Sequence, residues 1–107
     1  MKDYQQQSFK ELEERVHSGV TLVDFESPWC RPCRDQKPII ETLARRFKGE
    51  ARIIELNIDD NRQFAIQLGI TSIPTLIIFK NGRELQRFVG LQPAKVLSKA
   101  ILDVLGK

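Results

Sequence analysis

The chain has 107 residues, enough for one compact domain with a real core and too few for a second. Hydrophobic residues make up 41% and charged residues 29%, which sets aside the disordered, collagenous and membrane classes. Seventeen basic and fourteen acidic residues leave a net +3 that is scattered along the chain, a poor footprint for nucleic acid or a membrane surface.

The stretch from Met1 to Gln7 has no apolar segment of the kind that directs secretion. Nothing in the chain approaches the roughly 18 apolar residues of a membrane span, so a cytosolic protein is expected. Ser8-Phe9-Lys10-Glu11 has capping-box spacing, Phe9, Leu12 and Val16 share a stripe, and Gly19 is placed to stop this first helix. Val20-Thr21-Leu22-Val23-Asp24-Phe25 is short, β-branched and almost continuously apolar, as a strand buried on both faces should be. The chain breaks at Ser27-Pro28. From the cysteines to Phe47, residues Ile39, Ile40, Leu43, Ala44 and Phe47 keep helical spacing, with Pro38 predicting a bend and Gly49 a stop.

Arg52 to Ile58 reads as a second strand, after which Asp59-Asp60-Asn61 should cap a short helix carrying Phe64, Ala65 and Leu68 and ending at Gly69. Thr75 to Phe79 predicts a third strand, Asn81-Gly82 a hairpin turn, and Glu84 to Val89 its return. Pro93 opens a last helix with Ala94, Leu97, Ile101, Val104 and Leu105 on one inward stripe. Strands alternating with helices predict an α/β domain, a parallel sheet with one antiparallel edge and helices on both faces. No repeat or linker divides the chain, so residues 1–107 are expected to form a single domain.

Cys30 and Cys33 are the only cysteines, too few for the framework of a small secreted domain. Separated by two residues at a helix start, they can close a disulfide within one turn. Cys30 at the helix N-terminus faces unpaired N–H groups and the positive end of the dipole, which favour the thiolate. It is the expected nucleophile and the better exposed of the two. Cys33, one turn inside, is placed to attack the mixed disulfide and release the substrate.

Trp29-Cys30-Arg31-Pro32-Cys33 after Val23-Asp24-Phe25, then Pro38, Leu56-Asn57-Ile58-Asp59, Ile73-Pro74-Thr75, Asn81-Gly82 and Gly90, resembles the thioredoxin family in order and spacing. The likeness spans nearly the whole chain. It implies a thioredoxin-like α/β fold, with a central mixed sheet of four to five strands and helices on both faces. It also implies protein thiol–disulfide exchange through a redox-active Cys30–Cys33 disulfide, with no other cofactor and no metal. The implied partners are disulfide-containing target proteins and a flavoprotein reductase of the thioredoxin reductase type, acting on a monomer. By the same resemblance Asp24 lies behind Cys33 and exchanges its proton through water, and Ile73-Pro74 is a cis-proline loop facing the cysteines. That loop would pair with an extended substrate peptide, beside an apolar rim of Trp29, Ile73, Gly90 and Leu91. Trp29 could instead be core filling, and Asp24 a carboxylate that caps a nearby helix or reaches the sheet edge.

Three positions depart from the family's habit, and with Pro32 they are the expected redox-tuning residues. Arg31 stands in place of glycine, Glu26 in place of tryptophan, and Glu55 in place of lysine. The cation beside Cys30 should stabilise the reduced form, while the two carboxylates should make Asp24 harder to ionise unless Arg31 or Arg34 folds back over them. The segment before Ser8 is poor in apolar residues, so a short N-terminal strand would be absent or frayed. Two rival readings stand beside the enzyme: a metal site shared between two cysteine pairs in a dimer, and a non-catalytic adaptor binding through the rim. His17, near the end of the first helix, is expected to be a solvated cation without a catalytic role.

Overall fold

The structure, a computed structural model, describes residues 14–107. The expected capping box at Ser8 and the question of a strand ahead of it lie outside those residues. Residues 14–17 are helical, with Val16 buried and His17 exposed. Then follow β1 (Val20–Glu26), α1 (Arg31–Arg46), β2 (Ala51–Asn57), α2 (Arg62–Gln67), β3 (Thr75–Lys80), β4 (Arg83–Val89) and α3 (Ala94–Leu105). Their ends fall close to the predicted ones because the same punctuation sets them: Pro28 after β1, Pro93 at the N-cap of α3, and turn residues between β3 and β4.

Among the described residues the sheet has four strands in the order β2-β1-β3-β4. β1 and β2 run parallel, from Val20 opposite Ala51 to Glu26 opposite Asn57. The crossover between them fits by length: the 16 residues of α1 rise about 24 Å, and the seven of β1 about 23 Å. The third strand corrects the prediction. β3 pairs antiparallel with β1 as well as with β4, so only one pair of the sheet is parallel. The connection from β2 to β3 holds only a six-residue helix and does not carry the chain back along the sheet. The chain therefore re-enters from the end at which β2 left.

A second expectation also fails. Asn61 occupies the N-cap of α2 but makes no side-chain cap bond; its amide donates instead to the Asn57 carbonyl oxygen at 3.0 Å. α1 runs through Pro38 as one helix.

Alternation along β1 and β3 sorts two cores. Val20, Leu22, Leu76 and Ile78 meet Ile40 and Leu43 of α1, Phe47 at its C-cap, and Leu97, Ala100 and Ile101 of α3. Val23, Phe25, Ile77 and Phe79 meet Val16 and Phe64 on the opposite face. Helices thus cover both faces, and Asp24, two residues beyond Leu22, points to the α1 side.

Candidate active site

The cysteine pair lies where β1 gives way to α1, at the carboxyl end of the central strand. Cys30 is the N-cap of α1, in extended backbone (φ −93°, ψ 117°), and its Sγ accepts the N–H of Cys33 at 3.2 Å. Arg31 and Pro32 are the first two helical residues, where proline's missing N–H leaves no intrahelical bond unmade. A disulfide joins Cys30 to Cys33, with Cα atoms 5.2 Å apart. The predicted contrast in exposure is absent: Cys30 is 6% and Cys33 4% exposed. Cys30 Sγ lies 3.8 Å from the carbonyl oxygen of Ile73. The helix amide, rather than exposure, distinguishes the two sulfurs.

Ile73-Pro74 is cis, and Gly90 N–H donates to the Pro74 carbonyl oxygen at 2.8 Å. The loop before β3 and the end of β4 are thereby fastened side by side, next to Cys30. Trp29 is 66% exposed and Leu91 47%, so Trp29 is a surface residue and not core filling. Its indole N–H donates to Asp59 Oδ2 at 3.1 Å, and Asp59 is itself placed by an Asx turn, its backbone N–H donating to Asn57 Oδ1 at 2.8 Å.

Asp24 is completely buried, and neither carboxyl oxygen has a hydrogen-bond partner among the described residues, so it caps no helix. Its pKa is raised to about 8, first by burial, then by Glu55 and Glu26, while Lys37 pulls it down. Glu55 is its direct cross-strand neighbour, and Glu26 shares its face of β1. Glu26 is likewise raised, by burial and then by Glu55. The cation paired with these carboxylates is Lys37, not Arg31 or Arg34. Arg31 is exposed, and Arg34 donates to the Pro28 carbonyl oxygen at 3.1 Å. Lys37, four residues beyond Cys33 on the same side of α1, pairs with Glu55 at 3.2 Å. A cleft of about 510 Å³ opens here, walled by Cys33, Glu26, Lys37, Glu55 and Asn57.

Ile73, Pro74 and Gly90 with the neighbouring Leu91 gather beside Cys30, next to Trp29 in the chain, while Glu26 and Glu55 share the cleft with Cys33 and Asp24 is buried in the sheet opposite Glu55. Sequence reasoning missed Lys37, Asp59 and Gln36. Each left a trace: Lys37 by its spacing from Cys33, Asp59 in the Asn57-Ile58-Asp59 turn, and Gln36 as a polar residue on the buried stripe of Cys33, Ile40, Leu43 and Phe47. Among the described residues no group of three or more His, Cys, Asp or Glu is placed to hold a metal ion.

Residues 2–103 match the thioredoxin family model. The chain belongs to the thioredoxin family. It is 41% identical over 91 residues to a thioredoxin of Staphylococcus aureus, covering 85% of this chain and 88% of that one. Among solved structures it is similar to a mutant thioredoxin of Halobacterium salinarum (TM-score 0.83, 33% identity, 91% of this chain and 85% of that chain). It is also similar to a thioredoxin of Fasciola hepatica (TM-score 0.78, 30% identity, 88% of each chain). With the Cys30–Cys33 disulfide in place, membership makes this thioredoxin-family chain a thiol–disulfide oxidoreductase whose redox group is the pair itself. As a class, thioredoxins act on disulfide-containing proteins and are recharged by a reductase. Among the described residues no helix is long and apolar enough to cross a membrane.

Proposed function

We propose that this oxidoreductase is a single-domain monomeric reductase of protein disulfides in the cytosol, with Cys30 attacking and Cys33 resolving. The observation that carries the assignment of roles is the Cys33 N–H directed at Cys30 Sγ from the first turn of α1. An amide and a helix dipole aimed at one sulfur favour negative charge there, and the thiolate is the attacking species. In the reduced protein the Cys30 thiolate attacks one sulfur of a target disulfide. A Cys30–target bond forms, the target's own S–S bond breaks, and its second sulfur leaves as a thiolate that takes a proton. Cys33, deprotonated, then attacks Cys30; the Cys30–Cys33 bond forms and the target's other sulfur leaves and is protonated. Two electrons and two protons pass to the target.

The proton that Cys33 gives up requires an acceptor, and Asp24 is the group whose position and raised pKa suit it, through water in the cleft walled by Glu26, Lys37 and Glu55. Glu26 and Glu55 tune that acceptor, and Arg31 and Pro32 tune the pair. The Ile73 carbonyl beside Cys30, the cis Pro74 and the rim of Trp29, Gly90 and Leu91 suit an extended peptide flanking the disulfide. A flavoprotein reductase returns the dithiol, and a reducing cytosol suits that use. Insulin reduction by dithiothreitol tests the reading. The parent should accelerate it and Cys30→Ser should not, while Cys33→Ser should accumulate a mixed disulfide through Cys30. Equal rates for parent and Cys30→Ser would favour an adaptor.

A further inference from the structure

Gln36 is the one long polar side chain sealed into the face of α1 that packs on the sheet. It is completely buried, on the stripe that also carries Cys33, Ile40 and Leu43. A buried primary amide costs free energy unless its donors and acceptor are met. Here one N–H and the oxygen are met by the backbone of a single residue 56 positions away: Gln36 Nε2 donates to the Gln92 carbonyl oxygen at 2.9 Å, and Gln92 N–H donates to Gln36 Oε1 at 2.8 Å. The amide behaves as a peptide group would in a strand pair. An apolar residue of the same size would have served the core equally well, so the amide's distinctive effect falls on the loop it grips.

That loop joins β4 to α3 and carries Gly90 and Leu91. From it the connections run back to the sulfur: Gly90 N–H to the Pro74 carbonyl oxygen at 2.8 Å, then Ile73, whose carbonyl oxygen lies 3.8 Å from Cys30 Sγ. Cys30 is the N-cap of the helix that holds Gln36. Helix, clasp, rim and cis-proline loop form a closed circuit, and Gln36 to Gln92 is the link that ties rim to helix. We propose that Gln36 is a positioning residue for disulfide exchange, which through Gln92 holds the Gly90-Leu91 rim at a set distance from Cys30 and so favours disulfides borne on extended polypeptide over small free ones. A small disulfide needs only to reach Cys30. A polypeptide must also lie along Ile73 and against the rim, so it alone feels a rim that has shifted.

This inference rests on the reading of Cys30 as the attacking sulfur, and the experiment separates the two. Parent, Gln36→Met and Gln36→Leu are compared in reduced form on insulin and on hydroxyethyl disulfide, with the redox potential and hydrogen exchange of the Gln92 amide measured beside them. Methionine keeps the length and bulk and makes neither bond. It should speed exchange at Gln92 and raise KM for insulin by about tenfold, the effect expected of losing a buried bonded pair. Its kcat, its rate on hydroxyethyl disulfide and its potential should match the parent's. Leucine makes neither bond with a smaller apolar side chain and should show the same split between insulin and hydroxyethyl disulfide, which decides the matter if the methionine variant does not fold. Equal losses on both disulfides, an altered potential, or an unchanged insulin KM with a freed Gln92 amide would overturn the proposal. If the parent itself reduced neither disulfide, the underlying reading would fail instead.

Discussion

Asp24 keeps its proton in the folded protein up to about pH 8 because burial, Glu55 and Glu26 all oppose its charge, with only Lys37 against them. Unfolded, it releases that proton near 3.8. Between those values the folded state holds more protons, so this group's contribution to stability is full at acid pH and is lost as pH rises toward about 8. Asp24→Asn should match the parent in acid and exceed it above that range by on the order of several kcal/mol, as read by urea unfolding across pH. In the pH–rate profile the same variant should lose the limb near 8. Coincident profiles would remove Asp24 from proton transfer. Glu55→Gln should move the Asp24 titration to lower pH and Lys37→Met to higher pH, followed by the carboxyl carbon resonance of Asp24. Arg31→Gly should make the pair more reducing by a few tens of millivolts, at about 30 mV per 1.4 kcal/mol of thiolate stabilisation, with solvent screening the exposed guanidinium. An unchanged potential would leave Arg31 without a tuning role.

At the scale of elements, the hairpin turn is the clearest case of local chemistry deciding geometry. Asn81 and Gly82 both adopt positive φ, 52° and 85°, as a two-residue turn between twisted strands demands. Asn81 does more than the turn requires: its Oδ1 accepts the Gly19 N–H at 2.8 Å, while the Gly82 N–H reaches the Val16 carbonyl oxygen at 2.9 Å. Gly82→Ala should cost about 1 kcal/mol of stability through its backbone, and Asn81→Ala about 1–2 kcal/mol by adding a lost hydrogen bond, both measured by urea unfolding. Neither should alter the potential, since the turn is at the end of β3 away from Cys30. α1 is the complementary case. Its start at Cys30 was legible from the cysteine pair and Pro32, its end from Phe47 and Gly49, and its register from Ile40 and Leu43. The partners of Gln36 and Lys37 were not, because Gln92 and Glu55 are brought to them by other elements.

At the scale of the whole molecule, two cores back a single sheet, and the site sits where their common strand ends. Leu97, completely buried, joins α3 to Leu22, Leu76 and Ile78 on the sheet, and Leu97→Ala should cost about 2–5 kcal/mol in equilibrium unfolding. By itself the sequence determined the elements, the faces of the helices, the redox pair, its likeness to the thioredoxins and the residues around the pair, because caps, turns and periodicity act over a few neighbours. Only the tertiary structure decided that β3 runs antiparallel to β1, a pairing of residues distant in the chain such as Val23 with Ile77. It also decided that the two cysteines are almost equally buried, that Lys37 pairs with Glu55 beside Asp24, and that Gln36 clasps the rim. Each of these depends on groups far apart in the chain arriving at one place, and charge, burial and hydrogen bonding act on distance in space.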